Sequence, residues 1–156
     1  MSRIVLLQKF FLLACFFMLV SFSNRSTPVP VKSATFTITI KITNVRNTKG
    51  RIQLQLYRDQ ASFSKEVPWK IAYISKKKIV GNTITHTISG FSNGVYGLAL
   101  LDDENNNTKM DYGWVLPKEG FGFSDYYHTA WSKPKFNSFK FYLKANKTVT
   151  MRVRYT

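Results

Sequence analysis

The stretch Phe36-Thr37-Ile38-Thr39-Ile40-Lys41-Ile42 alternates without a break. Phe36, Ile38, Ile40 and Ile42 share one face, and Thr37, Thr39 and Lys41 share the other. Successive side chains of a strand point to opposite faces, so a period of two predicts a strand with one face in a core and one in water. Asn47 to Gly50 then supplies turn residues, and Ile52, Leu54 and Leu56 resume the alternation. The pair predicts a hairpin.

The same reasoning carries outward along the chain. Strands are predicted near Lys70–Ser75, over Asn82–Ser89 with Ile84, His86 and Ile88 on one face, and over Val95–Leu101. In the last of these, Gly97 and Ala99 leave room for a close neighbour. Phe139–Leu143 and Thr148–Tyr155 complete the set, while residues 59–69, which contain Pro68, form a connection. About seven strands without an amphipathic helix predict an all-β fold. Its expected form is a single antiparallel β-sandwich over residues 34–156, prealbumin-like or immunoglobulin-like, with one long irregular loop.

Residues 1–23 have the composition of an export signal. Arg3 and Lys9 give a positive start, Phe10 to Phe22 is an apolar run, and Ser21 and Ser23 place small residues before a cleavage point. The run falls short of the roughly 20 residues a membrane helix needs, so no transmembrane span is expected in the mature chain. Residues 24–33, with Pro28 and Pro30, read as a flexible leader. A second processing route takes Leu12-Leu13-Ala14-Cys15 as a lipoprotein site with Cys15 lipid-modified. Cys15 is the single cysteine, so residues 24–156 hold no disulfide. Export without disulfides fits a bacterial envelope, periplasmic or extracellular.

The chain carries 23 Lys and Arg against 8 Asp and Glu, a net charge of +15 that becomes +13 once Arg3 and Lys9 are lost with the signal. Such charge favours anionic surfaces such as an envelope polymer, and no nucleic-acid partner is expected of an exported protein. Lys76-Lys77-Lys78 is the one basic run and the place where such a polymer would bind. Lysines at a strand end also deter edge-to-edge pairing.

Against this background the acids are concentrated. Asp102, Asp103, Glu104 and Asp111 fall within ten positions, interleaved with Asn105, Asn106 and Asn107, and Glu119 and Asp125 follow. Counted from Asp103, the residues Asp103, Asn105, Asn107, Lys109 and Asp111 stand at positions one, three, five, seven and nine. Calcium loops present oxygens at this odd-numbered spacing, the seventh through its backbone carbonyl. Hard carboxylate and amide oxygens suit calcium. Position six is Thr108 where such loops carry glycine, and position twelve is Trp114 where they carry a carboxylate; Glu119 or Asp125 would have to fold back. The competing reading is a polar turn whose Asx side chains cap their own backbone.

Two resemblances follow from these residues. Gly94-Val95-Tyr96 and its flanks, Phe91 to Leu100, resemble the glycine–x–tyrosine strand of prealbumin-like and carboxypeptidase-regulatory-like sandwiches. Asp103 to Ser124, followed by Pro134-Lys135-Phe136 and Phe141, resembles the signature of an uncharacterised bacterial exported family, domain of unknown function 2141. That signature is an aspartate–asparagine loop, then proline–x–glutamate–glycine–aromatic–glycine–phenylalanine–serine, then proline–x–phenylalanine. The chain departs from it at Thr108, at Asp125-Tyr126 and at Asn137-Ser138. The resemblance implies a sandwich at the envelope and no activity.

Trp114, Phe121, Phe123, Tyr126, Tyr127 and Trp131 crowd the long loop. They form either a stacking surface for a glycan or peptide, or a small core that the loop builds for itself. Gly120 and Gly122 allow an irregular excursion there. Catalysis has thin support: Ser124, Asp125 and His128 are adjacent only in sequence, no nucleophile elbow is present, and Asp111 with Glu119 is a bare carboxylate pair. The expected function is an exported, envelope-associated binding or structural accessory module, not an enzyme, steadied by calcium in the 103–111 loop. The alternative is a hydrolase of envelope glycan or peptide acting through residues 102–135.

Overall fold

The computed structural model describes residues 35–156. The export signal over 1–23, the leader over 24–33 and Cys15 lie outside the described residues. The alternation at Phe36–Thr43 becomes β1, and Arg51–Tyr57 becomes β2. They are followed by β3 (Lys70–Ser75), β4 (Ile84–Phe91), β5 (Gly94–Asp103), β6 (Gly120–Phe123), β7 (Lys140–Leu143) and β8 (Lys147–Arg152). The connection after β2 holds one helical turn, α1 (Gln60–Ser64), whose first N–H groups are capped by Asp59 accepting from Ser62 N at 2.7 Å.

Two sheets result. One has the order β4-β1-β8 and the other β3-β2-β5-β6, with β7 also on β5. All pairings are antiparallel except β1 with β8, which is parallel. The sandwich fold is as the alternation requires, with eight strands. Ile38, Ile40 and Ile42 meet Leu54, Leu56, Leu98 and Leu100 between the sheets, with Val149, Met151 and Leu143.

β6 and β7 share one edge of β5 end to end. Phe121 and Phe123 pair with Leu101 and Ala99, while Tyr142 and Phe141 pair with Val95 and Tyr96. Between them the chain leaves the sheet at Ser124 and returns at Phe139. The excursion folds back over the outer face of the second sheet, where Phe123, Phe136 and Phe139 pack with Tyr57, Phe63 and Ala99 as a second core. Gly97 makes the close approach possible: a Cβ there would stand 2.6 Å from the Phe136 ring and 2.7 Å from the Phe139 ring.

The sequence reading of Gly120 to Phe123 as an irregular excursion is corrected by the structure: the segment is a regular strand. Its inward positions are glycines because the chain crosses over them after β8. A Cβ on Gly120 would run into Val153 and Tyr155. The crossing segment is tied to β6 by Phe121 N to Arg154 O at 3.0 Å and Arg154 N to Phe121 O at 2.8 Å.

By this register β1, β3, β5 and β8 end, and β2, β4 and β6 begin, at one end of the sandwich. The connections 44–50, 76–83 and 104–119 and the C-terminus therefore gather there.

Candidate functional site

β5 delivers the acidic stretch to that end, and alternation splits it. Asp102 follows Leu98 and Leu100 on the inner face and is fully buried. This corrects the expectation that it belongs to a polar surface loop. Lys76, at the start of the basic run, is fully buried as well, so the run offers a polymer only Lys77 and Lys78. Lys76 Nζ donates to Asp102 Oδ1 at 2.5 Å and to Asn47 Oδ1 at 3.2 Å. Tyr155 Oη donates to Asp102 Oδ2 at 2.5 Å. Burial pulls the Asp102 carboxyl above its ordinary range, against the ammonium and phenol hydrogen bonds that pull it down. Burial, and then the Asp102 hydrogen bond, push the Tyr155 phenol far above its ordinary value.

Glu104 fastens the neighbouring loops. Arg46 Nε and one terminal nitrogen reach its two oxygens at 2.6 and 3.0 Å, and Asn47 Nδ2 adds a third bond at 2.9 Å. The Arg46 hydrogen bonds hold this carboxyl below its ordinary range. Arg46 also donates to the Lys118 carbonyl at 3.1 Å, which ties residues 44–50 to the far side of the loop.

Asp103 points to the outer face and organises the turn. Its Oδ1 accepts from Asn107 N at 2.9 Å and its Oδ2 from Thr108 N at 3.1 Å, while Arg51 Nε lies 3.2 Å from Oδ2. Asn105 Oδ1 accepts from Asn107 N at 3.0 Å, and Asn107 Oδ1 from Lys109 N at 2.8 Å. The backbone coils around the side chains of positions one, three and five. Thr108 takes φ +69°, the left-handed conformation that position six requires, although the residue is β-branched.

Asp111 closes the ring. Asn105 Nδ2 donates to its Oδ2 at 2.5 Å and Asn107 Nδ2 to its Oδ1 at 3.1 Å. Glu119 folds back beneath, accepting from Glu104 N at 2.9 Å and Asp111 N at 3.3 Å. It is buried, and burial is the main reason its carboxyl is raised. Among the described residues neither Asp111 nor Glu119 forms an ion pair, and no three His, Cys, Asp or Glu side chains cluster as metal ligands. The Asn105 and Asn107 amides turn their Nδ2 groups to the Asp111 carboxylate and their Oδ1 atoms to backbone N–H groups of the turn. Asp125 lies elsewhere, its Oδ1 accepting from Thr150 N at 2.8 Å.

The strand, the loop and the Pro117-to-Ser124 stretch are now placed together. Over residues 40–151 the chain matches the family described as uncharacterized protein conserved in bacteria (DUF2141). The chain belongs to that family. Comparison with curated proteins and with solved structures finds no match.

In this DUF2141 chain the six loop aromatics part company. Phe123 joins the second core, with Phe121 and Tyr126 packed against it. Tyr127 and Trp131 are exposed on the excursion, and Trp114 stands on a different segment. That segment is a small hairpin missed by the sequence reading. Gly113 N bonds Leu116 O at 2.7 Å, Lys118 N bonds Asp111 O at 2.8 Å, and Tyr112 pairs with Pro117. The only sequence signal for it is Gly113 between two aromatics ahead of Pro117. Trp114 and Val115 form its tip.

Ser124, Asp125 and His128 are not assembled as a trio. The Ser124 hydroxyl is buried, accepting from Leu98 N at 2.9 Å and donating to Phe139 O at 2.7 Å. His128 Nε2 is 2.7 Å from Ser132 O, and its ring lies edge-on to Phe123. Among the described residues no helix is long and apolar enough to cross a membrane.

Proposed function

We propose that this DUF2141 chain is an exported, envelope-associated binding module whose 103–119 loop is steadied by a calcium ion. Export rests on Arg3, Lys9 and the apolar run Phe10 to Phe22. The observation that carries the calcium reading is the setting of Asp111. In a chain with nearly three cations per acid, Asp111 and the neighbouring Glu119 have no cationic side chain in ion-pair range among the described residues and are met by amide and backbone hydrogens. Asp103, Asn105, Asn107 and Asp111 would supply side-chain oxygens and Lys109 its carbonyl, with Glu119 in reserve below. Arg51 beside Asp103 competes with the ion, which points to the weak affinity of extracellular modules, about 0.1–1 mM.

Thermal unfolding of the chain in chelator, in millimolar calcium and in millimolar magnesium tests this. A ligand that binds only the native state stabilises it by RT ln(1 + L/Kd) at free concentration L, so the midpoint rises with ligand concentration. The expected result is a rise with calcium alone, abolished in Asp111→Asn. A midpoint that ignores calcium, or an Asp111→Asn chain that still responds, overturns the ion.

A further inference from the structure

Trp114 is more exposed (105%) than in an extended reference chain, and Val115 beside it is 82% exposed. Contiguous exposed apolar patches, unlike apolar residues exposed singly, mark contact sites. This pair is held, not loose: the hairpin below it is closed by the 113–116 and 118–111 backbone bonds, and Thr156 caps it through the Pro117 carbonyl. Tyr112 on its flank is exposed too.

The surroundings say what the tip meets. The connection 76–83, at the same end of the sandwich, presents Val80 at 79% exposure in a tight turn. Lys49, Lys77, Lys78, Lys109 and Lys118 are exposed on the connections of this end, and none lies within ion-pair distance of a carboxylate among the described residues. The acids of the same end are largely spent: Asp102, Asp103 and Glu104 are paired with Lys76, Arg51 and Arg46, Glu119 is buried, and Asp111, without an ion pair among the described residues, is hydrogen-bonded by the Asn105 and Asn107 amides. Apolar tips on an end that also carries unpaired lysines complement a surface that is anionic outside and apolar beneath. Tryptophan favours the depth where headgroups meet acyl chains, and each lysine near an anionic leaflet adds about 1 kcal/mol.

We infer that this end of the sandwich docks on an anionic phospholipid bilayer, with Trp114 and Val115 inserted at the interface and Lys109 and Lys118 on lipid headgroups. The inference rests on the reading of the chain as an envelope-associated binding module and names its partner. It does not depend on the calcium ion.

The test is local to the tip, so that the apolar N-terminal segment does not decide it. A Trp69→Phe, Trp131→Phe chain keeps Trp114 as its single tryptophan. It is mixed with vesicles of phosphatidylethanolamine and brominated phosphatidylglycerol in equal amounts, with and without calcium. The emission of Trp114 shifts to the blue and is quenched. Lys109→Gln and Lys118→Gln each weaken the vesicle affinity about fivefold, and high salt weakens it further. Trp69 packs on Phe91 and Tyr96; should its replacement loosen the fold, the natural chain and its Trp114→Phe variant are compared instead, and the quenching difference gives the same reading. Trp114 left unquenched while the chain sediments with vesicles overturns the inference, as does equal quenching by brominated phosphatidylcholine. Neither result touches the calcium reading, which the midpoint in calcium decides separately.

Discussion

Lys76 Nζ stands 2.5 Å from Asp102 Oδ1, and neither side chain reaches solvent. The pair closes the end of the core beneath the candidate loop, with Asn47 and Tyr155 completing its hydrogen bonds. Removing one member of a buried pair strands the other charge, at a cost of about 3–5 kcal/mol. Lys76→Met therefore destabilises the chain strongly in urea unfolding. Exposed Lys77→Met stays within about 0.5 kcal/mol of the natural chain. Replacing both partners, Lys76→Met with Asp102→Leu, recovers much of the loss, because no charge is left buried. Equal effects for Lys76→Met and Lys77→Met would remove this account of the end of the core.

Ser124 bridges the break between β6 and β7. Its N–H bonds Leu98 O at 3.0 Å, while its hydroxyl accepts from Leu98 N and donates to Phe139 O. One residue thus replaces the ladder where two short strands meet on the same edge. Ser124→Ala leaves a buried N–H and a buried carbonyl unmet, at a cost of about 1–3 kcal/mol. Ser124→Thr restores the hydroxyl but adds a methyl to a packed site, and recovers less than the natural residue. Hydrogen exchange at the Leu98 amide reads the effect directly: protection falls in the alanine variant and is partly kept in the threonine variant.

What the sequence made legible follows from where side chains report on burial. β1 and β2 show period two because one face meets the core and the other is solvated. β6 hides, since Gly120 and Gly122 occupy its inner positions and no apolar alternation remains to be read. Asp102 looks like its neighbours Asp103 and Glu104 because its partner Lys76 lies 26 residues away in sequence. The calcium-like spacing was readable, and so was the misfit at Thr108. That Asp111 is met by two amides and, among the described residues, by no cation depends on how the loop coils, which spacing alone leaves open. The aromatics of the long loop were countable but not divisible into packed and exposed, because Phe123 and Trp114 differ only in what the backbone places above them.

Thr108 holds φ +69° without the freedom of glycine. A left-handed conformation costs an L-residue about 1–2 kcal/mol. Glycine relieves that strain and gives back part of it through the greater freedom of its unfolded chain. Thr108→Gly is expected to raise stability by somewhat under about 1 kcal/mol, since the Thr108 N–H to Asp103 bond is kept. Thr108→Pro removes that N–H and forbids the conformation, and lowers stability by more than the glycine gains. A glycine variant less stable than the natural chain in thermal unfolding would show that the threonine contributes through its Oγ1 contact with the Asn107 carbonyl.

Two glutamates respond to pH with opposite signs. Glu104, hydrogen-bonded to Arg46, titrates below its ordinary value of 4.5 in the folded chain. Its contribution is complete above 4.5 and is lost as pH falls through the lower folded value. Glu119 titrates above 4.5 when folded, raised chiefly by burial and also by Asp111 and Asp103. The folded chain then binds the proton more readily than the unfolded chain. Glu119 costs stability at neutral pH, and the cost is relieved as pH falls through the raised value towards 4.5. Glu104→Gln should flatten the acid limb of a plot of unfolding midpoint against pH. Glu119→Gln should instead remove a rise in stability at mildly acid pH. A cation held beside Asp111 lowers the Glu119 carboxyl, so millimolar calcium should erase that rise in the natural chain and leave the Glu119→Gln profile unchanged in shape. A rise that survives saturating calcium would place the ion away from Asp111.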